Sequence, residues 1–114
     1  MPFINTKTNI VLCLSQKTKI KDQFGAMIGI LPGKSEQWLM VGFDDKPHSL
    51  FFGGSEDPAA IVEVKVYGTI PNDRYDELTQ KITNIISTNT GIGADRIYVK
   101  YSEVEHWGWS GSNF

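Results

Sequence analysis

The stretch Ala59-Ala60-Ile61-Val62-Glu63-Val64-Lys65-Val66-Tyr67 alternates small or β-branched apolar residues (Ala60, Val62, Val64, Val66) with a mixed set (Ile61, Glu63, Lys65, Tyr67). Successive side chains of a strand point to opposite faces, so this period of two predicts a long strand, Ala59 to Thr69, in an antiparallel or mixed sheet. Directly after it, Tyr75, Leu78, Ile82, Ile85 and Ile86 recur at helical spacing and predict a helix over about Asp73 to Thr90. Asn72, following Pro71, is the expected N-cap. Gly91 supplies the left-handed residue that ends the helix, with Ile92 available for the accompanying apolar contact. A strand over Arg96 to Tyr101 completes a β-α-β unit.

The same pattern stands 58 residues earlier. Ile20, Phe24, Met27 and Ile28 precede Leu78, Ile82, Ile85 and Ile86 by that interval, Leu39, Val41 and Phe43 precede Ile97, Val99 and Tyr101, Ile4 precedes Val62, and Gly33 precedes Gly91. A helix is therefore expected from about Gln16 to Leu31, capped by Ser15 and stopped by Pro32-Gly33. It lies between strands Pro2 to Lys7 and Gln37 to Asp44, with a short strand Ser49 to Phe52 between the halves. The expected fold class is α+β. It is a tandem βαβ pseudo-repeat, about residues 1–57 and 58–114, forming a single domain in which right-handed crossovers put both helices on one face of a four-stranded mixed sheet.

Composition fits one modest core. The 114 residues are 40% hydrophobic and 21% charged, in the range of ordinary globular domains. The single Cys13 offers neither an intramolecular disulfide nor a cysteine-rich zinc site. Eleven Lys and Arg against thirteen Asp and Glu give a net charge of −2, which argues against a general phosphate-backbone binder, so nucleic acid is not an expected partner. No run approaches the roughly 20 apolar residues of a membrane span. The apolar run Ile10 to Leu14 is too short for a signal-peptide core and is followed by Ser15-Gln16-Lys17-Thr18-Lys19. These readings give a cytoplasmic expectation that leaves signal-independent export open.

The face of the sheet away from the helices poses a packing problem. Trp38, Met40, Tyr67 and Tyr98 have the wrong strand parity for the helix-covered side, and no third helix is available to shield them. The tail Trp107-Gly108-Trp109-Ser110-Gly111-Ser112-Asn113-Phe114 adds three more large aromatics. A symmetric homo-oligomer covers such a surface economically; a tail folded back over its own sheet is the alternative.

Most familiar catalytic signatures are missing. His48 and His106 lack metal-ligand spacing and read as loop histidines, so no metal is expected. Gly91-Ile92-Gly93-Ala94-Asp95-Arg96 follows a helix and lacks the last glycine of a dinucleotide loop, and Gly108-Trp109-Ser110-Gly111 is not a nucleophile elbow. Lys17, Lys19 and Lys21 form a solvated helix start. Pro2 differs in kind. Methionine aminopeptidase is expected to trim Met1 before a small residue, leaving a secondary amine whose reference pKa, about 7.7 to 8.0, is already near neutrality. Burial beside a cation lowers such a pKa further, into the range of a general base.

Five segments together resemble the macrophage migration inhibitory factor and D-dopachrome tautomerase family: Met1-Pro2-Phe3-Ile4, Gly33-Lys34, Phe52-Gly53-Gly54-Ser55-Glu56-Asp57-Pro58, Asp95-Arg96-Ile97-Tyr98-Val99 and Trp107 to Phe114. The resemblance spans essentially the whole chain. It implies the tautomerase fold and a homotrimer with active sites between subunits. It also implies cofactor-independent keto–enol tautomerisation of phenylpyruvate-like α-keto acids, together with isomerisation of dopachrome analogues. By the same resemblance Pro2 is the general base, Lys34 binds the substrate carboxylate, the Tyr67 backbone adds a hydrogen bond, and Tyr98 and Lys100 come from the adjacent subunit. An aryl substrate needs aromatic walls, which Trp38, Tyr98, Trp107 and Phe114 can supply.

The departures from the family pattern are specific. Ala59-Ala60-Ile61-Val62 stands where better-known members have Cys-x-x-Cys, so their proposed thiol-oxidoreductase activity does not carry over. Lys100 replaces a frequent asparagine and Trp107 a smaller aliphatic residue, which makes the expected pocket more cationic and differently shaped. A second functional reading is a secreted, cytokine-like signalling protein that binds a host cell-surface receptor, its pocket vestigial.

Overall fold

The computed structural model describes residues 1–114. Its main sheet is made of β1 (Pro2–Thr8), β2 (Met40–Asp45), β3 (Ala60–Tyr67) and β4 (Ile97–Val104) in the order β2-β1-β3-β4. The outer pairs β1/β2 and β3/β4 are parallel, and the central pair β1/β3 is antiparallel. Two helices, α1 (Leu14–Met27) and α2 (Asn72–Thr90), make the crossovers.

Strand register reproduces the internal repeat. Phe3 pairs with Met40 and Ile61 with Tyr98, a separation of 37 residues in both halves. At the junction of the halves Asn5 pairs with Glu63, its own equivalent 58 residues on, so the pseudo-twofold axis passes through this pair. Ile4, Val62, Val64 and Val66 turn to the helices and are fully buried with Ile20, Phe24, Leu78 and Ile82 in one apolar cluster. Full burial of side chains this size stabilises by about 1.5–3 kcal/mol each before entropy is charged against it.

The element ends depart from the sequence expectation for identifiable reasons. The α1 N-cap is Cys13, not Ser15, because the Gln16 side chain reaches back to accept the Cys13 N–H at 2.9 Å and starts the helix one residue before Ser15. At its other end the helix tightens into a 3-10 turn, Ile28–Ile30, and Leu31 is extended. Pro32 imposes this, since a residue preceding proline is driven out of the α region. The α2 helix begins at Asn72 with Pro71 at the cap position, and it ends as expected on Gly91 at φ 78 with Ile92 buried.

The second strand is shorter at its start than the alternation suggests. Glu36–Trp38 form a 3-10 turn, so Trp38 projects from a turn and not from β2. Ser49 to Phe52 is not a strand. Only Phe52 and Ser55 bridge, across the turn Gly53-Gly54 whose φ values of 59 and 79 need glycine. β4 runs on to Val104, three residues past the expected end.

The tail forms a hairpin of β5 (Gly108–Trp109) and β6 (Ser112–Asn113), turning at Ser110 and Gly111. It folds back on its own chain. Trp109 meets Trp38 edge to face at 5.1 Å, and Phe114 meets Tyr67 at 5.4 Å. These contacts shield Tyr67 on the open face and Trp38 beside it only in part, with Trp38 still 40% exposed, while Met40 and Tyr98 stay 69% and 59% exposed.

Candidate functional site

The N-terminal segment, the turn after α1 and the tail converge beside β2. A cleft of about 490 Å³ opens there, lined by Met1, Pro2 and Phe3 from the chain start, Trp38 from the turn before β2, Met40 from β2 itself, and Trp107 and Trp109 from the tail. Pro2 sits at the head of β1 with its side chain on the buried face, so the position of its nitrogen is fixed by the central strand of the sheet.

Lys34 reaches this corner because Gly33, at φ 76, turns the chain after α1. Its Nζ donates to the Tyr67 carbonyl at 2.9 Å, and the Tyr67 N–H donates to the Met1 carbonyl at 3.2 Å. Tyr67 thereby holds both the cation and the start of the chain. The Met1 α-amino group is lowered from 8.0 to about 6, first by burial, then by the Lys34 charge and its hydrogen bond. Both causes disfavour the protonated amine. A free, weakly protonated amine beside a fixed ammonium, next to an aromatic cleft, can accept a proton at neutral pH while the cation holds an anion.

The remaining sequence-predicted residues divide into two groups. Trp38 and Trp107 line the cleft, and Phe114 stands against Tyr67 at the Lys34 side. Tyr98 and Lys100 lie elsewhere. They project from the open face of β4, three strands from β2, a lateral distance of about 14 Å. Tyr98 pairs with Ile61 at the far end of β3 from Tyr67, and Lys100 pairs with Glu63. One chain does not bring these two to the cleft. Conversely, Trp109 is a cleft residue that the sequence reading left out of the site. The signal was available: Trp107-Gly108-Trp109 has a spacing of two, which in a short extended segment sends both indoles to one side.

The sequence model of the family described as "Macrophage migration inhibitory factor (MIF)" matches residues 1–114. A macrophage migration inhibitory factor of Xenopus laevis is 25% identical over 117 residues, covering 100% of this chain and 99% of the relative. Among solved structures, Leishmania major MIF2 superposes with a TM-score of 0.92 at 34% identity, covering 100% of this chain and 97% of that one. A macrophage migration inhibitory factor homologue from Prochlorococcus marinus gives 0.81 at 28% identity, covering 98% of each chain.

Proposed function

The chain belongs to the macrophage migration inhibitory factor family, and from that premise we propose that it is a cofactor-independent keto–enol tautomerase of phenylpyruvate-like α-keto acids and dopachrome analogues. The observation that carries the reading is the placement of Pro2 in an aromatic cleft, next to the corner where Lys34 is fixed on the Tyr67 carbonyl. The Met1 amine in that corner is lowered to about 6 by burial and by Lys34, and the same surroundings act on the Pro2 amine once Met1 is gone.

While Met1 is joined to Pro2, the proline nitrogen is an amide with no basic lone pair. Removing Met1 moves the terminus to Pro2, which lines the same cleft. The free Pro2 amine then takes the proton from the carbon next to the ketone, the C–H pair moves to form the C=C bond, and the carbonyl π pair becomes a lone pair on the enolate oxygen. The protonated Pro2 amine gives that proton to the oxygen, which forms the enol and frees the amine again, and the reverse sequence returns the ketone. Lys34 anchors the substrate carboxylate and keeps the amine unprotonated. Trp38, Trp107, Trp109 and Phe114 wall the aryl group. In a homotrimer, Tyr98 and Lys100 of an adjacent subunit complete the pocket, in keeping with their distance from the cleft of their own chain.

Intact mass followed by a phenylpyruvate enol–keto assay tests this. Protein lacking Met1 is expected to turn over and Pro2→Gly to lose most of the rate; equal rates would remove Pro2 as the base.

A further inference from the structure

The loop between β2 and β3 is held in place by two side chains from outside it, one at the end of β1 and one at the start of β4. Asn9, just past β1, donates through Nδ2 to the carbonyls of Leu50, Glu56 and Asp57 at 3.0–3.1 Å, and its Oδ1 accepts the Ala59 N–H at 3.0 Å. Arg96, just before β4, grips the other side. Its Nε donates to Pro58 O at 3.0 Å and its Nη2 to Asp57 O at 2.9 Å, with longer bonds to Ser55 O at 3.4 Å and Phe52 O at 3.5 Å. Only the planar, many-donor fork of an arginine can serve four carbonyls at once.

The same guanidinium lies 5.1 Å from the centroid of the Phe52 ring, and Phe52 packs on Tyr98 with ring centroids 4.7 Å apart. Tyr98 is otherwise mostly in solvent. A chain of contacts thus runs from a pinned loop to an exposed ring: Arg96, Phe52, Tyr98. We propose that Arg96 is a positioning residue for substrate binding, fixing the Tyr98 ring through Phe52 in the orientation in which it enters the cleft of a neighbouring copy. The inference rests on the reading that Tyr98 completes an adjacent subunit's site. An aromatic side chain ordered in advance loses less rotamer freedom when substrate binds, and the gain shows in KM more than in kcat.

A double-mutant cycle on the full assembled chain, read as KM and kcat for phenylpyruvate and accompanied by sedimentation, tests it. Arg96→Ala is expected to raise KM about fivefold with kcat changed by less than about twofold, and Tyr98→Ala to raise KM about tenfold. In the Tyr98→Ala background, Arg96→Ala should add less than about twofold, because its effect passes through the ring already removed. Phe52→Leu, which keeps an apolar side chain but removes the ring, should reproduce the Arg96→Ala result, and it supplies the same comparison if Arg96→Ala does not fold. Equal KM effects in both backgrounds, a fall in kcat at unchanged KM, or loss of assembly would each overturn the positioning role. If Tyr98→Ala raises KM and neither Arg96→Ala nor Phe52→Leu does, the inference alone falls. If Tyr98→Ala leaves KM unchanged, the reading of Tyr98 falls and takes the inference with it.

Discussion

Asp45 and Glu103 do the same work at equivalent places in the two halves. Asp45 Oδ2 accepts the Leu12 N–H at 2.8 Å, and Glu103 Oε2 accepts the Ile70 N–H at 2.8 Å, each across 33 residues. The second partners are equivalent as well: Lys17 Nζ lies 3.3 Å from Asp45, and Tyr75 donates its hydroxyl to Glu103 at 2.8 Å. Each carboxylate ties the end of a parallel edge strand to the segment that leads into the helix of its own half. The repeat therefore extends beyond apolar pattern to a polar clamp, although the acid is one carbon longer in the second copy and a tyrosine replaces the lysine.

These clamps predict an acid-sensitive component of stability. Both carboxyls are held below the usual carboxylate range, chiefly by the backbone N–H each accepts, and further by Lys17 and by Tyr75 respectively. A depressed folded-state pKa contributes stability above the unfolded values, about 3.9 for Asp and 4.3 for Glu, and loses it as pH falls through the folded values. Asp45→Asn and Glu103→Gln should each lower Tm at pH 7, and the gap to wild type should close towards pH 2. A gap independent of pH would contradict the assignment.

In the proposed reaction Lys34 is expected to set the pH profile as well as substrate affinity. Since the base must be unprotonated, kcat/KM should rise with pH through a midpoint below the ordinary amine value. At the Met1 amine burial is the first cause of the depression and the Lys34 charge the second; the Pro2 amine lies in the same corner, so Lys34→Ala should move the midpoint up only part of the way. Loss of a charge-assisted bond, about 1.5–3 kcal/mol, should raise KM by about 10- to 100-fold. A pH–rate series on both proteins would show an unmoved midpoint if the amine were not the base.

Trp109 should matter for binding despite its place in a two-residue strand. It is an edge-to-face partner of Trp38 and lines the cleft, so Trp109→Ala removes one wall and frees another. A rise in KM of about tenfold for phenylpyruvate is expected, with kcat less affected. Steady-state kinetics that left KM within twofold of wild type would place the substrate elsewhere.

Thr6 offers a stabilising substitution. It is 1% exposed, and its hydroxyl has no hydrogen-bond partner, whereas the neighbouring Thr8 hydroxyl donates to Ala59 O at 2.7 Å. Replacing an unpaired buried hydroxyl by a methyl of similar shape should be neutral or stabilising, by up to about 1 kcal/mol, so Thr6→Val is expected to raise Tm. Thr8→Val should lower it by stranding the Ala59 carbonyl. The two melting curves check the contrast, and a fall for Thr6→Val would mean that its hydroxyl is bonded in solution.

Much of the fold was legible because it rests on local, periodic patterns. The alternation through Ala60 to Val66, the stripe Leu78, Ile82, Ile86 and the stop at Gly91 each express a backbone geometry that repeats over a few residues. Their recurrence 58 residues apart was enough to order two βαβ units. What was misread lay where side chains or prolines override periodicity: Gln16 moving the cap to Cys13, Pro32 ending α1 early, and a turn lifting Trp38 off β2.

The sequence by itself determined the four strands of the main sheet, the two long helices, the face of each that is buried, and Pro2 as a residue with unusual chemistry. Tertiary structure alone decided what surrounds the start of the chain. Lys34 meets the Tyr67 carbonyl across 33 residues, and Trp109 meets Trp38 across 71. It decided likewise that Tyr98 and Lys100 stand a sheet's width from that cleft. The physical reason is that periodicity fixes the direction of a side chain relative to its own backbone, while the partner it meets depends on strand order and on the path of the tail. Neither of those leaves a local pattern.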